Sequence, residues 1–470
     1  MRESAVRIVK ERQGKKMGLA GELVDALSQQ VVLQRNPPSN ENPSQDEVNN
    51  LFVQFQSGQH ALAKKLALEI TQNHPNHPFA YKVLGALFKT SGRLHDAVIA
   101  NQKVVTLTPN DEEAHNNLGN TLQELGRLVE AEASCRHALE IKPDFAEAHN
   151  NLGNILKELG KLAEAETSFR QAIALNPDFA QVHCNLGFVL QELGKLAEAE
   201  ASYRQAVTLK PNFAEAYLAL GKHSKIIGQN SKAVEYFQQA LNLDFEESLG
   251  ASLELAYLGI GHVPEKTPIR YMQEFYKKKS KIWSGSANRS LYRGHLLIEN
   301  AFKQTHELGN KVEILDLGCG IGSLAKFLRL YSKNLVGVDL SPHMLIEADK
   351  TQLYDSLHEK DLIQYLGEVS NCYDSVVAAA TLIHFFNLEN IFSLVRQSLK
   401  SNGKFIFSTF EGKQKDSELN NFLMYAHSDD YISTLSNRLN FRISYRQKDI
   451  HEYHGNEPVR SIIYVLEKIN

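Results

Sequence analysis

Apolar and polar positions along this chain follow two rhythms. Between about residue 44 and residue 247 the apolar residues recur at helical spacing in short amphipathic stretches, as in Leu118, Leu122 and Leu125, then Ala131, Cys135, Ala138 and Leu139. Pairs of helices are predicted there. After about residue 300, short β-branched or apolar runs alternate with helical stretches: Val312-Glu-Ile-Leu-Asp-Leu, Asn334-Leu-Val-Gly-Val-Asp, Tyr373-Asp-Ser-Val-Val-Ala-Ala-Ala and Lys404-Phe-Ile-Phe-Ser-Thr. That alternation predicts a parallel sheet with helices on both faces. Two late runs, Arg442 to Asp449 and Ser461 to Leu466, have no helical stretch between them and predict an antiparallel pair at the sheet edge.

The helical half is periodic on a longer scale. Pro75, Pro109, Pro143, Pro177 and Pro211 stand 34 residues apart, and two glycine series keep the same step, Gly85 to Gly221 and Gly58 to Gly228. A fourth series of small residues runs from Ala63 to Ala233. Each has a mechanical reading: the first glycine series permits close helix approach, the second takes the turn between helices A and B, alanine allows tight packing of helix B, and proline ends it. These spacings resemble the tetratricopeptide repeat, with six units expected over residues 44–247. Leu51 stands where later units have glycine, as an atypical terminal unit would. Ser44 and Glu47 form a capping-box pattern at the start of the first helix. Residues 1–43 read as a helical leader and linker, residues 248–300 as a capping helix and lid segment, and residues 301–470 as the sheet domain.

Composition narrows the partners. With 51 basic and 55 acidic side chains, the net charge of −4 offers no polycationic surface, so nucleic acid is not an expected partner. Cys135, Cys184, Cys319 and Cys372 are far apart, which indicates neither a zinc site nor a disulfide framework and fits a reducing compartment. With no Cys/His cluster, a bound metal is not expected; no apolar run reaches the length of a membrane span, so a membrane partner is not expected and a cytoplasmic location is.

Candidate chemistry collects at the predicted strand ends. Asp316-Leu-Gly318-Cys-Gly320-Ile-Gly322 follows the first strand directly, a turn suited to a ligand phosphate or carboxylate. Gly320, Gly322 and Ala325 also satisfy a dinucleotide pattern, which keeps a nicotinamide or flavin enzyme open. Three features favour S-adenosylmethionine. Asp316 would accept a bond from an α-ammonium group and repel a pyrophosphate; Asp339 is placed for two ribose hydroxyls; and Asp361 with the Leu362 amide offers an acceptor and a donor to adenine.

The segment from about Tyr271 to Asn470 resembles the class I S-adenosylmethionine-dependent methyltransferases, and within them a group that carries tetratricopeptide repeats. The matching stretches are Ile314-Leu-Asp-Leu-Gly-Cys-Gly-Ile-Gly, Val338-Asp-Leu-Ser-Pro-His-Met-Leu, Glu359-Lys-Asp-Leu, Tyr373-Asp-Ser-Val-Val-Ala-Ala-Ala-Thr-Leu-Ile-His and Tyr425-Ala-His-Ser. The resemblance implies a Rossmann-like seven-stranded sheet with the cofactor at the carboxyl ends of the first strands. It also implies Gly318, Gly320 and Gly322 at the methionine end, Asp339 at the ribose and Asp361 at the adenine. No Asn-Pro-Pro-Tyr-type sequence follows the fourth strand, which argues against the amino-methyltransferases of DNA bases and glutamine. The paired-glutamate loop of protein arginine methyltransferases is missing there too.

Methyl transfer asks the protein mainly to align an acceptor and exclude water. His384 is the candidate base or acceptor-orienting group, with packing beside the cofactor as the competing reading. Met344 is placed against adenine or in the ordinary core. Among the aromatics before the first strand, Tyr271, Tyr276, Trp283 and Tyr292, Tyr276 is the expected lid contact. Asn116, Asn117, Asn150, Asn151 and Asn185 are expected on the concave face of the repeats, either reading a peptide backbone or serving their own helices. The arrangement is similar to the asparagine ladder of O-linked N-acetylglucosamine transferase, interrupted here by Val83 and Ala219. The expectation is a methyltransferase whose solenoid docks a protein acceptor or partner, a small-molecule acceptor staying open. Its competitor is an interaction scaffold with a weak or inactive methyltransferase-like domain.

Overall fold

A computed structural model of the chain describes residues 42–283, 293–414, 416–454 and 457–469, without the side chains of 281–283 and 454. The expected leader helices, most of the linker, Tyr292 and the Trp283 side chain lie outside the described residues. The chain packs as two compact units that meet in sequence at Pro143 and Asp144.

In the first unit three antiparallel helix pairs follow one another, Gln45–Gln56 with His60–Asn73, Pro78–Thr90 with Leu94–Leu107, and Glu112–Glu124 with Leu128–Ile141. Ser44 caps the first helix in a complete capping box, its hydroxyl accepting from the Glu47 amide while the Glu47 carboxylate accepts from the Ser44 amide. The turn between helices of a pair takes a left-handed residue, Gly126 for example at φ 81°. The second unit begins with three more pairs, Ala146–Glu158 with Leu162–Leu175, Ala180–Glu192 with Leu196–Leu209, and Ala214–Ile226 with Asn230–Leu243.

The 34-residue glycine series is a row of sockets. A Cβ on Gly153 would stand 2.7 Å from the Phe169 ring, and one on Gly187 would stand 2.6 Å from the Tyr203 ring; both rings are fully buried. Gly119 makes the same socket for Cys135, Gly221 for Phe237 and Gly85 for Asn101. The first repeat inverts the arrangement: Leu51 and Ala67 are both fully buried, so the large side chain comes from helix A and the small one from helix B. Each buried aromatic contributes about 1.5–3 kcal/mol.

A seven-residue helix, Ala251–Tyr257, closes the repeats at the start of the segment 248–300 in which a capping helix was expected. Its Glu254 is almost fully buried, 2.5 Å from Lys225 Nζ and 3.7 Å from Lys222 Nζ on the last helix A. Helix Ile269–Trp283 follows, then Gly294–Thr305 leads into the sheet.

The sheet has nine strands among the described residues: β1 Val312–Leu317, β2 Ser332–Asp339, β3 Ser356–Glu359, β4 Tyr373–Ala378, β5 Leu399–Glu411, β6 Ser417–Leu419, β7 Tyr425–His427, β8 Phe441–His454 and β9 Glu457–Lys468. β3, β2, β1, β4 and β5 lie side by side in parallel. β9 runs antiparallel to β5 and carries β8 as its outer neighbour. The expected late pair is therefore present, and these seven strands match the expected sheet. The two further strands come from the short β6–β7 hairpin, which joins the end of β5 through Phe410 opposite Ala426.

Alternation along the strands explains burial on both faces. Leu315, Val336, Val376, Phe405, Phe407 and Tyr464 pack on one side, beneath helices Leu362–Gly367, Glu389–Ser398 and Asp429–Arg438. Their neighbours Ile314, Leu335, Val377, Ile406 and Val465 face the other side, beneath Gly294–Thr305 and Ala325–Leu328. Because β1 has β2 on one side and β4 on the other, chain order reverses there, and a crevice opens at the carboxyl ends of the strands.

Candidate functional site

The crevice is a cavity of about 550 Å³ in the second unit, and it gathers most of the predicted residues. Asp316, Gly318, Gly320, Gly322, Asp339, Asp361, Leu362, Tyr276 and His384 all line it. Met344 does not. Its side chain is 1 % exposed in helix Pro342–Asp349, because the Ser341 cap sets a phase that turns this position under the helix. Met344 is core rather than cavity wall.

The glycine turn is stitched to β2 rather than left open. Amides of Gly318 and Cys319 donate to the Val338 carbonyl, and the Gly320 amide donates to Asp339 Oδ2 at 2.9 Å. Gly320 has φ 55°, and a Cβ placed on it would meet nothing within 4 Å, so the backbone itself forms that part of the wall. Ala380, opposite, also holds a left-handed φ of 53°, an uncommon conformation for a residue with a side chain; its amide donates to Ser408 Oγ.

The carboxylates differ in their commitments. Asp316 is 2 % exposed and accepts from the Tyr354 hydroxyl at 2.7 Å. Burial pushes its carboxyl up to about 7; the Tyr354 bond opposes the shift and the nearby Asp339 adds to it. Asp339 accepts from the amides of Ser341 and Gly320, which only partly offset burial, and its carboxyl stands at about 6. Neither has a lysine or arginine partner among the described residues. Asp361 caps helix Leu362–Gly367 through Oδ1, which accepts from the amides of Ile363 and Gln364, while Oδ2 lies 3.3 Å from Lys266 Nζ.

His384 is 7 % exposed in a short turn after β4, and burial pushes its imidazole down to about 4. Its ring lies 2.6 Å from the Tyr276 hydroxyl at Nε2 and 3.3 Å from Thr267 Oγ1 at Nδ1. A strap before helix Ile269–Trp283 holds this arrangement: Thr267 N donates to the His384 carbonyl, Phe386 N to the Glu265 carbonyl, and Tyr425 Oη to the Pro264 carbonyl. Tyr354, Thr267 and Lys266 are the functional neighbours that motif reading missed, since none lies in a recurring local pattern.

The asparagines of the repeats are divided by burial. Within the second unit Asn185 Nδ2 donates to Asn150 Oδ1 at 3.1 Å, and Asn185 Oδ1 accepts from Gln181. Asn150 in turn donates to Asn151, so these amides bond one another from repeat to repeat. Asn185 is 7 % exposed, and Asn116 in the first unit is 8 % exposed. Only Asn117 is exposed, on a groove of the first unit shared with Lys82, Lys89 and Glu124.

Comparison with known proteins agrees with both halves of this architecture. Tetratricopeptide-repeat models match residues 112–145, 134–167, 153–194, 180–213 and 214–247. A methyltransferase-domain model matches residues 315–407, which run from β1 into β5 and include the three cavity carboxylates, Asp316, Asp339 and Asp361. The chain carries tetratricopeptide repeats followed by a methyltransferase domain. Among curated relatives, the probable S-adenosylmethionine-dependent methyltransferase CRG1 of Saccharomyces cerevisiae is 28% identical over 178 residues, 36% of this chain and 58% of that protein. A malonyl-[acyl-carrier protein] O-methyltransferase of Acetivibrio thermocellus is 35% identical over 113 residues, 23% of this chain and 39% of that one. The chain thus spans less than two thirds of either relative. Among solved structures, PilW, a type IV pilus biogenesis factor, aligns with 20% identity and a TM-score of 0.42 over 45% of this chain and 100% of its own.

Proposed function

We propose that this protein is an S-adenosylmethionine-dependent methyltransferase whose repeats dock a protein that is, or presents, the methyl acceptor. The observation that carries the reading is the pair Asp316 and Asp339, buried carboxyls on adjacent strand ends of one cavity with no cationic partner among the described residues. Such a pair is relieved by a ligand with positive charge and hydroxyl donors; a dinucleotide pyrophosphate would add negative charge beside it. A cavity of about 550 Å³ has the volume of a cofactor site.

In this reading Asp339 holds the ribose hydroxyls, Asp316 and the Gly318–Gly322 turn face the methionine end, and Asp361 with the Leu362 amide faces the adenine. Bound S-adenosylmethionine supplies a methyl group on a sulfonium. The chain's own residues do the rest: strap, helix Ile269–Trp283 and the His384 turn wall the cavity and exclude water. Lys266 shares Asp361 Oδ2 and so sets how strongly that carboxylate binds anything else. For the repeats, the exposed Asn117 groove and the half-exposed Asn150 and Asn151 are the proposed contacts. The buried Asn116 and Asn185 are support rather than contact. All four cysteines are free thiols, which fits the proposed cytoplasmic location.

Calorimetry with S-adenosylmethionine and with NAD tests the cofactor assignment; heat from NAD alone would reject it. Transfer of a radiolabelled methyl group into cell proteins and small-molecule extracts tests turnover. Cofactor binding without any labelled product would favour the scaffold reading instead.

A further inference from the structure

We propose that Lys326 binds the carboxylate of the amino-acid end of the cofactor, so that the cavity holds a zwitterion between Asp316 on one side and Lys326 on the other. The inference rests on the methyltransferase reading above and deepens it, assigning a residue to the one cofactor charge that the reading leaves unanswered.

The glycine turn does not answer that charge by itself. Its sequence suits a ligand carboxylate, yet four of its amides are spent inside the fold. Gly318 and Cys319 donate to the Val338 carbonyl, Gly320 to Asp339 Oδ2, and Gly322 to the Cys319 carbonyl. The amides of Ile321, Ser323 and Leu324 make no hydrogen bond among the described residues, but they are neutral donors in a cavity that also holds Asp316 and Asp339. A carboxylate met by neutral donors alone would there face two carboxyls of its own sign.

Lys326 reverses that balance. It lines the same cavity from helix Ala325–Leu328, directly after the turn, and is the one lysine or arginine on the cavity wall among the described residues. It is exposed and makes no hydrogen bond or ion pair with the described residues, so it turns to a ligand without breaking a contact of its own. Tyr354 sets the distance scale. Its ring lies 3.2 Å from where a Cβ on Gly322 would stand, and its hydroxyl donates to Asp316 at 2.7 Å, so the turn that leads to Lys326 is about one tyrosine ring away from Asp316.

The cavity thus has buried carboxyls at Asp316 and Asp339 and an exposed, uncommitted cation at Lys326. S-adenosylmethionine carries an ammonium and a carboxylate on one carbon. Carboxyls alone would attract the first and repel the second, and would favour an analogue stripped of its carboxylate, which brings only positive charge. With Lys326 included, both charges meet an opposite one, in charge-assisted bonds that are stronger than those to neutral donors.

Calorimetry on the full chain tests this with two ligands, S-adenosylmethionine and its decarboxylated analogue, which keeps the sulfonium and the ammonium. Lys326→Met should weaken S-adenosylmethionine about tenfold and leave the analogue unchanged or slightly tighter, so the ratio of the two affinities shifts by about the same factor. Lys326→Arg should keep the parent's ratio. Because the side chain is exposed, added salt should shrink the difference between parent and Lys326→Met, and thermal unfolding of the ligand-free variant should match the parent. Equal loss for both ligands overturns the inference, since it would give Lys326 no part in reading the carboxylate. No loss for either also overturns it. Both results leave the methyltransferase reading standing. A parent chain that binds neither ligand rejects that reading, and this inference with it.

Discussion

Replacing Asp316 by Asn should make the ligand-free protein more stable at alkaline pH and nearly unchanged at acid pH. In the folded chain this carboxyl titrates at about 7, against a reference value of 3.8. Between those values the folded state binds more protons than the unfolded state, so the contribution of Asp316 to stability falls as pH rises and levels off above about 7. Converted at 1.36 kcal/mol for each tenfold step in proton affinity, the ionised carboxylate costs roughly 4 kcal/mol above pH 8. Asn keeps the Tyr354 bond by accepting through its own oxygen and carries no charge. The difference between variant and parent should therefore be close to zero below pH 3.8, about 1.7 kcal/mol at pH 5 and about 4 kcal/mol at pH 8.5. Urea unfolding of the full chain, with hydrogen exchange of peptides covering Val312–Asp339 to isolate this region, measures it. Saturating S-adenosylmethionine should erase the difference, since a cation beside Asp316 favours the ionised form. A constant offset at both pH values would refute the argument, because it would mean that Asp316 does not titrate between them.

Three other outcomes follow from the packing and the titrations. Gly187→Ala should destabilise the repeats by about 1–3 kcal/mol through the Tyr203 ring, and Gly187→Leu with Tyr203→Ala, which copies the Leu51 and Ala67 arrangement, should recover most of the loss in thermal unfolding. Gly320→Ala should cost about 1–2 kcal/mol for its left-handed backbone and weaken S-adenosylmethionine in calorimetry. His306, His384, His427 and His451 are each held down to about 4 by burial, so their contribution is complete above about 6.5 and is lost as pH falls toward 4; acid unfolding should take up more than one proton, measured by the pH dependence of the urea midpoint.

Legibility in the sequence followed the range of the interactions. Helix pairs, turn glycines and the carboxylates at the ends of β1 and β2 could be read because each depends on neighbours a few residues away: a helical period, a left-handed turn, a side chain one step past a buried strand. The 34-residue step added the register between helices, since every repeat presents the same socket to the same knob. Met344 shows the limit of that reading. One residue of helix phase, set by the Ser341 cap, decides between cavity wall and core.

What only the tertiary structure decided is which distant side chains satisfy one another. Asn151 and Asn185 stand one repeat apart, the spacing of a peptide ladder, yet Asn185 donates to Asn150 and Asn150 to Asn151, because repeat stacking brings Asn185 and Asn150 to 3.1 Å. Tyr354 reaches Asp316 across 38 residues, Tyr276 reaches His384 across 108, and Thr267 reaches it across 117. None of these pairs has a local signature: each side chain is ordinary where it stands, and closing the intervening chain is what excludes water and makes the partner matter. The sequence alone thus determined a repeat array, a doubly covered sheet and the place of the cavity. The folded chain decided that Asp316 and Asp339 have no lysine or arginine partner among the described residues whereas Asp361 has Lys266, and that burial holds His384 neutral beside Tyr276.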